Sequence, residues 1–164
     1  MKKIVLLASL LLSAAMFAQN EPKFVRDAAV LNADGTLTSI PTTVGRLTAL
    51  FSVNVKGLQA ETRISKVDTL KIIIKGNGNQ AAPVDKIRLF KMQSQKAGNR
   101  SASMGAYGIP SKSFVPFKGD SYGESSYIIV IPNMEPGEYG IWYIEDEFEK
   151  NALGDHAMSF FGID

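Results

Sequence analysis

The sequence predicts an all-β protein folded as a single antiparallel β-sandwich. Short apolar segments recur along the chain, most of them alternate between apolar and polar residues, and turn residues separate them. A period of two places one side of a strand against a core, and many short strands at this spacing are typical of sandwiches. No long stretch shows the periodicity of a helix.

The first half of the chain contains several predicted strands. Asp34 and Gly35 favour a hairpin turn after the first, since this pair accepts a positive φ at little cost. Pro41 ends the second strand. Residues 46–55 are predicted as one continuous strand because their odd-numbered positions are apolar. The predicted segments are Phe24–Leu31, Thr36–Ile40, Arg46–Val55, Arg63–Ser65 and Thr69–Lys75.

The second half continues the pattern. Residues 127–131 are apolar at every position, as expected for a central strand. Pro116 marks its own segment as an edge strand or a bulge, because proline cannot donate to a ladder. The predicted segments are Lys86–Met92, Ser113–Phe117, Tyr127–Ile131, Glu138–Ile144 and Ala157–Ile163.

The segment Met134–Tyr139 predicts a tight turn that leads into a strand. Pro136 fixes φ, and Gly137 accepts the turn conformation. In sandwiches of the immunoglobulin type, a tyrosine at the start of such a strand hydrogen-bonds back to the preceding loop and forms a tyrosine corner. Tyr139 is predicted to fill this position. Trp142, on the opposite face of the same strand, is predicted to be buried.

Residues Met1–Ala18 have the order of a secretory signal peptide. Two lysines precede the apolar run Ile4–Leu12, and small residues follow it. The run is too short for a permanent membrane span. Cleavage is predicted after Ala18, with Ala15 as the alternative site.

Residues 19–164 are then predicted to form one β-sandwich domain. A domain of this length buries about 68–70% of its unfolded surface, so a core forms without covalent cross-links. The chain contains no cysteine, which excludes lipid attachment to a cysteine after processing. The expected location is the periplasm or the exterior of a bacterial cell, with no insertion into the membrane.

Net charge does not indicate a polyanionic partner. The whole chain has 18 Lys and Arg against 16 Asp and Glu, with a pI of about 8.8. Signal cleavage removes two of the lysines and leaves equal numbers of basic and acidic side chains. Nucleic acid and anionic membranes are therefore not expected as partners.

The charge is unevenly distributed along the chain. Basic side chains predominate up to Lys118, and acidic ones predominate after it. This pattern indicates either a sign-split surface or opposite charges paired between early and late strands. The acids lie among apolar strand residues and not in a polar tail, which favours the pairing between strands.

The residues predicted to bind a ligand lie in and after the segment Lys96–Ser113. This segment is rich in Gly, Ser and Ala without clear periodicity, so it is predicted to be a long loop. Loops concentrate binding residues, and tyrosine and arginine are frequent anchors. The candidates are Arg100, Tyr107 and Tyr122, which suit a glycan or a protein at the cell surface. The alternative for Tyr107 is packing against the edge of the sandwich.

A run of carboxylates follows the predicted strand that ends at Ile144. The simplest interpretation is a solvated loop end that discourages edge pairing. The alternative is a Ca²⁺ site that also uses Asp155, although the spacing fits no EF-hand pattern. The acids of the run are Glu145, Asp146, Glu147 and Glu149.

The sequence shows no catalytic constellation and no cofactor motif. Ser121 follows Gly-Asp, as in one class of hydrolases, but the only histidine, His156, has no acid three residues before it. Residues 119–122 are instead predicted to form a polar turn, and His156 to lie at the surface or in a turn. One histidine without cysteine also excludes the usual zinc sites. No catalytic residue, metal ligand or cofactor is assigned.

Four segments resemble a group of small exported proteins of Gram-negative bacteria. These proteins share a PGEY turn and a chain end of the form F-G-(I/V)-D. The matching segments are M-E-P-G-E-Y-G-I-W from Met134, S-F-F-G-I-D from Ser159, A-E-T-R from Ala60 and K-I-R-L-F-K-M from Lys86. The resemblance implies an immunoglobulin-like β-sandwich and brings no known activity or functional residue with it.

The sequence as a whole predicts an exported, non-enzymatic β-sandwich. Its expected role is that of an interaction or structural module in the periplasm or at the cell surface. The alternative is a carbohydrate-binding module that uses loop aromatics.

Overall fold

The computed structural model describes residues 20–95, 97–105, 111–149 and 152–164. Most of this part of the chain is β-structure, and one helical turn that the sequence did not predict precedes the seventh strand. The elements are β1 (Ala28–Leu31), β2 (Leu37–Ile40), β3 (Thr42–Leu47), β4 (Ser52–Lys56), β5 (Thr62–Ile64), β6 (Thr69–Lys75), α1 (Pro83–Lys86), β7 (Ile87–Ser94), β8 (Asn99–Ser103), β9 (Lys118–Tyr122), β10 (Ser126–Pro132), β11 (Gly137–Tyr143) and β12 (Gly154–Ile163). In the described ranges, no helix is long and apolar enough to cross a membrane.

The first sheet has five antiparallel strands in the order β2-β1-β6-β10-β9. The prediction of a central strand at residues 127–131 is confirmed, because β10 pairs with β6 on one side and with β9 on the other. The prediction for residues 69–75 also coincides with β6. Both strands are strongly apolar, so local pattern was enough to find them.

The second sheet closes on itself. Its order is β11-β7-β8-β4-β3-β12, and an additional pairing of β11 with β12 joins the two ends into a six-stranded ring. β5 joins β12 as a short parallel strand. The prediction of a mostly antiparallel all-β fold with two sheets is confirmed. The prediction of a single sandwich holds only in part, because one of the sheets is a closed barrel and not an open layer.

Two apolar cores result from this arrangement. The sandwich core lies between the first sheet and the wall of the ring made by β7, β11 and β12, and it includes Ile72, Ile129, Leu89, Ile141 and Phe161. The ring core fills the barrel and includes Leu47, Val53, Phe90, Trp142, Met158 and Phe160. Successive residues of β7 and β11 alternate between the two cores, which explains why both faces of these strands are apolar.

Tyr139 forms the predicted corner contact. Its hydroxyl group donates a hydrogen bond of 2.7 Å to the carbonyl oxygen of Glu135, and its ring stacks on Phe161 with centroids 5.6 Å apart. Trp142 lies on the opposite face of β11 in the ring core and is 2% exposed. The predictions for both residues are confirmed.

The prediction of one strand over residues 46–55 is wrong. The chain turns between β3 and β4, where the amide of Phe51 donates to the carbonyl oxygen of Thr48 at 2.9 Å. Leu47 and Val53 face each other across the resulting hairpin, and both are buried. The alternation therefore continues through a tight turn, because the register of this hairpin pairs Leu47 with Val53 and so places odd-numbered residues of both arms on the same face.

The prediction that residues 96–113 form a single long loop is also wrong. β8 lies within this segment and pairs with β4 along its whole length. Arg100 and Ala102 alternate as buried positions, whereas Ser101 and Ser103 do not. Small and charged residues supply the strand, so the hydrophobic period is too weak to detect in the sequence.

The polar turn predicted for residues 119–122 is a strand. These residues belong to β9, which pairs with β10 at the edge of the first sheet. Its first four residues, Lys118 to Ser121, are exposed. An edge strand that is open to solvent needs no apolar face, and charged residues on it discourage further pairing.

Candidate functional site

A groove opens in the ring between β3 and β4. The two strands pair only at Arg46–Asn54 and Leu47–Val53, next to their turn, and no further pairing joins them in the described residues. Beyond these pairs the strands separate around a cavity of about 800 Å³. Its lining comes from β3, β4, β5, β8, β12 and the segment after β4. A cavity of this size falls in the range of ligand pockets.

The base of the groove is apolar and its rim is polar. Val55, Ala60 and Phe160 line it toward the ring core. The rim carries the basic side chains of Arg46 and Lys56 and the acidic side chains of Glu61 and Asp155, and all four residues are exposed. Such a combination of an apolar base with a few polar groups is typical of binding sites.

Backbone groups of both strands face the groove. The amide of Thr48 donates to the carbonyl oxygen of Ser52 at 3.0 Å, so the even-numbered residues of β3 direct their amide and carbonyl groups toward β4. The amide and carbonyl of Val44 therefore point into the groove, and those of Lys56 point into it from the other side. In the described part of the chain, Val44 and Lys56 are not paired with each other.

A buried ion pair supports the base of the groove. The guanidinium group of Arg100 donates to Glu138 at 2.7 Å and to the carbonyl oxygen of Gly57 at 3.1 Å. The amide of Ala60 donates to the same carboxylate at 2.7 Å. Arg100 is 3% exposed and lies 5.6 Å from the centroid of the Phe160 ring. The pair ties the segment after β4 to β8 and β11.

A second arginine joins this network. Arg63, on β5, forms ion pairs with Glu138 and with Asp164. Hydrogen bonds to Asp164 and then to Glu138 raise the pKa of Arg63, so its charge is held in the folded protein. Its guanidinium group lies where a side chain of residue 162 would be, and only glycine leaves this space free.

Three of the four segments that carry the sequence resemblance meet in this network. A-E-T-R provides Arg63 and the amide of Ala60, the PGEY turn provides Glu138, and the F-G-I-D end provides Gly162 and Asp164. These residues form a structural clamp that holds β5, β11 and β12 beside the groove. The motif residues thus maintain the shape of the site.

The three predicted binding residues are not brought together as an exposed cluster. Arg100 is buried in β8, where it lines the groove and pairs with Glu138. Tyr122 is half-buried at the end of β9 in the other sheet, where its carbonyl oxygen accepts a bond from Asn79. Tyr107 lies outside the described residues. Binding by these residues remains a prediction.

Ser121 and His156 lie in different sheets and have separate hydrogen-bond partners. The hydroxyl group of Ser121 donates to the carbonyl oxygen of Asn79 at 2.9 Å. His156 is in β12 and is 8% exposed, with its Nε2 atom 2.7 Å from the carbonyl oxygen of Ala152. The prediction of a surface or turn histidine is wrong, because the imidazole packs 4.9 Å from the Trp142 ring at the end of the ring core.

The acidic run is partly used in the fold. Arg26 forms ion pairs with Glu145 at 3.2 Å and with Glu149 at 3.1 Å. Glu149 also accepts from Trp142 and lies 3.5 Å from His156. Its side chain is 12% exposed, so for this residue the solvated loop end is not the right description. In the described part of the chain, no three His, Asp or Glu side chains are grouped as metal ligands.

The uneven charge distribution corresponds to pairing between early bases and late acids. Arg46 and Asp155 lie directly opposite each other on β3 and β12 with a distance of 4.0 Å. Other pairs join more distant elements, including Arg26–Glu149, Arg63–Glu138, Lys91–Glu135 and Arg100–Glu138. The preference for opposite charges on neighbouring strands therefore holds only in part, because Arg46–Asp155 is the one pair of this kind among those named, and the others use loop residues or strands that are not neighbours.

The sequence analysis did not predict the groove. Val44 and Lys56 carry no chemical signal of a site, since one is a valine in a threonine-rich segment and the other a surface lysine. The nearest signal is the exposure of an apolar β-branched residue, but exposure is not visible in the sequence. Val44 is 59% exposed in the structure.

Comparisons with known proteins give no relative. No family model matches the chain, and neither the curated proteins nor the solved structures include a match.

Proposed function

We propose that the protein is an exported, non-enzymatic interaction module that binds a ligand in the groove between β3 and β4. The observation that carries this proposal is the cavity of about 800 Å³ in an otherwise closed ring. Its apolar base, its charged rim and the backbone groups directed into it together provide the elements of a recognition site.

The surroundings of Ser121 and His156 support a role without catalysis. Ser121 lies in the first sheet and His156 in the second, and each is hydrogen-bonded to a backbone carbonyl, so they do not form a nucleophile–base pair. Export rests on the signal peptide predicted for residues 1–18. The relation to immunoglobulin-like sandwiches belongs to this proposal too, and the corner formed by Tyr139 supports it.

The experiment is a binding screen with a blocked groove. The purified mature protein is tested against a glycan array and a library of extended peptides. Thr43→Trp places a large side chain on the lining of the groove, and Ser39→Trp places the same side chain on exposed β2 in the other sheet. We expect ligands to be lost with Thr43→Trp and retained with Ser39→Trp.

Two results would contradict the proposal. Ligand binding that survives Thr43→Trp unchanged would place the site elsewhere. Hydrolysis of a substrate panel that disappears with Ser121→Ala would establish an enzyme. A glycan whose binding depends on Tyr122 and not on residue 43 would instead favour the carbohydrate-binding alternative on the first sheet.

A further inference from the structure

We propose that the ligand of the groove is an extended polypeptide segment, which adds a strand to the open edge of β3. This inference rests on the proposed binding function and names the class of ligand. Three observations support it. An extended segment of this chain already bonds to the free edge of another strand of the ring, backbone groups of β3 and β4 point into the groove, and the side chains around the groove are apolar inside and charged outside.

The ring contains a second hairpin that separates in the same way, and the chain fills that gap itself. Within the described ranges, β7 and β8 pair only at Gln93–Ser101 and Ser94–Arg100, near their turn. Residues 113–115 lie along the free edge of β7, where the amide of Lys91 donates to the carbonyl oxygen of Ser113 at 2.8 Å. The amide of Val115 donates to the carbonyl oxygen of Leu89 at 2.9 Å. An added extended segment thus completes one of the two separated hairpins.

Residues 113–115 also show where the side chains of an added segment lie. Phe114 lies between the two bonded residues, forms a bridge with Phe90 and packs against the ring core. The groove between β3 and β4 offers a comparable apolar surface in Val55, Ala60 and Phe160. A ligand residue directed inward is therefore expected to be apolar.

The open edge of β3 has the groups that strand addition requires. Residues of β3 alternate in direction, and the odd-numbered ones bond to β12. The amide and carbonyl groups of Thr42 and Val44 face the groove, and those of Lys56 face it from β4. In the described residues no strand pairs with this edge at Thr42 or Val44. Peptides that add to a sheet edge bind through such main-chain groups, with side-chain pockets giving specificity.

The charges on the outer face favour an acidic residue in the ligand. Arg46 and Lys56 extend from the two strands that border the groove, on the same face as Val44. Arg46 has one ion pair, with Asp155 at 4.0 Å, in which both side chains are more than 60% exposed. Such exposed pairs contribute little, so a ligand carboxylate can replace Asp155 at Arg46. The expected ligand alternates apolar residues with polar ones and carries an acid at an outward position.

The test uses a fluorescein-labelled nine-residue peptide, Thr-Val-Thr-Val-Asp-Val-Thr-Val-Thr, and fluorescence polarisation. Val44→Pro removes one of the amides that face the groove and leaves the bonds between β3 and β12 in place, because proline is tolerated where its nitrogen faces away from a ladder. Val44→Thr keeps this amide and serves as the matched control. A peptide with Lys in place of Asp tests the charge.

We expect Val44→Pro to weaken binding at least tenfold and Val44→Thr less than threefold. The Lys peptide is expected to bind at least threefold more weakly than the Asp peptide. Circular dichroism checks that the proline variant is folded. If it is not, peptides N-methylated at alternate residues give the same information, since methylation of the residues whose amides face β3 should abolish binding and methylation of the opposite set should weaken it less.

Three outcomes would overturn the inference. They are equal binding by the proline and threonine variants, equal effects of both methylation patterns, and no peptide binding by the wild-type protein at millimolar concentration. A glycan that binds in the groove and is displaced by Thr43→Trp would also overturn it, while leaving the proposed binding function intact.

Discussion

The guanidinium group of Arg63 lies against the Cα atom of Gly162 and fills the space that any side chain at position 162 would need. Gly162→Ala should displace Arg63 from its ion pairs with Glu138 and Asp164 and lower the free energy of unfolding by about 1–2 kcal/mol. Urea denaturation measures this effect.

A double-mutant cycle isolates the contact between these two residues. In an Arg63→Ala background the space is empty, so Gly162→Ala should cost much less than in the wild-type protein. Equal costs in both backgrounds would show that residue 162 acts through backbone conformation and not through Arg63.

Glu138 is the shared acceptor of the clamp, and its side chain is 11% exposed. Glu138→Gln leaves Arg63 and Arg100 without their common carboxylate and should destabilise the fold by about 3 kcal/mol, as expected when one partner of a buried pair is removed. Glu135→Gln is the matched control, because Glu135 pairs with Lys91 at 78% side-chain exposure and should cost less than about 1 kcal/mol. Similar losses for the two variants would argue against the clamp.

Tyr139→Phe removes the hydroxyl group that bonds to the carbonyl oxygen of Glu135 and retains the stacked ring. The free energy of unfolding should fall by about 1 kcal/mol, the usual net contribution of one hydrogen bond. An unchanged urea midpoint would show that the hydrogen bond of the tyrosine corner does not stabilise the fold.

Glu21 should make the stability depend on pH. Burial alone would raise its pKa, but hydrogen bonds from Lys75, Ser126 and the amide of Glu124 together lower it below the ordinary value of 4.5. A lowered folded pKa means that the carboxylate stabilises the fold above pH 4.5 and that this contribution is lost as the pH falls through the folded pKa.

Glu21→Gln should therefore cost about 1–3 kcal/mol at pH 7, the range for hydrogen bonds to a charged group, and distinctly less at pH 3. Glu124→Gln is the control of equal charge change, since the side chain of Glu124 is exposed and only its backbone amide contacts Glu21. A cost of Glu21→Gln that does not vary with pH would contradict the assignment.

The sequence predicted the strands whose burial is extreme. β6 and β10 pair on both edges, and β11 is covered on both faces, so their apolar residues are dense enough to be recognised locally. Tyr139 and Trp142 were placed on the correct faces for the same reason. Period two and turn residues are local properties, and these elements depend on little else.

The closed ring could not be predicted, because closure depends on pairings between strands far apart in the chain. β12 pairs with β3 and β11, and neither partner is marked by its own sequence. The turn between β3 and β4 was hidden because alternation continues across it. β8 was hidden because its buried positions are Arg100 and Ala102, and a buried arginine becomes intelligible only beside Glu138.

The groove could not be predicted from the sequence for a related reason. A gap between two strands is a missing pairing, and no residue type encodes it. Of the predicted binding residues, Arg100 lines the groove as part of a buried ion pair, and Tyr122 lies on the other sheet. Val44 and Lys56, which border the site, are ordinary residue types. They matter because their backbone amide and carbonyl groups point into the groove.

Hydrogen exchange at the amide of Val44 measures whether the edge of β3 is open to solvent. Asn54 lies in the same hairpin and pairs with Arg46, so its amide is an internal reference. In the free protein, the Val44 amide should exchange at least about 100-fold faster than that of Asn54, and bound peptide should slow it toward the Asn54 rate. A Val44 amide as protected as that of Asn54 in the free protein would mean that β3 and β4 are joined along their length and that no groove exists.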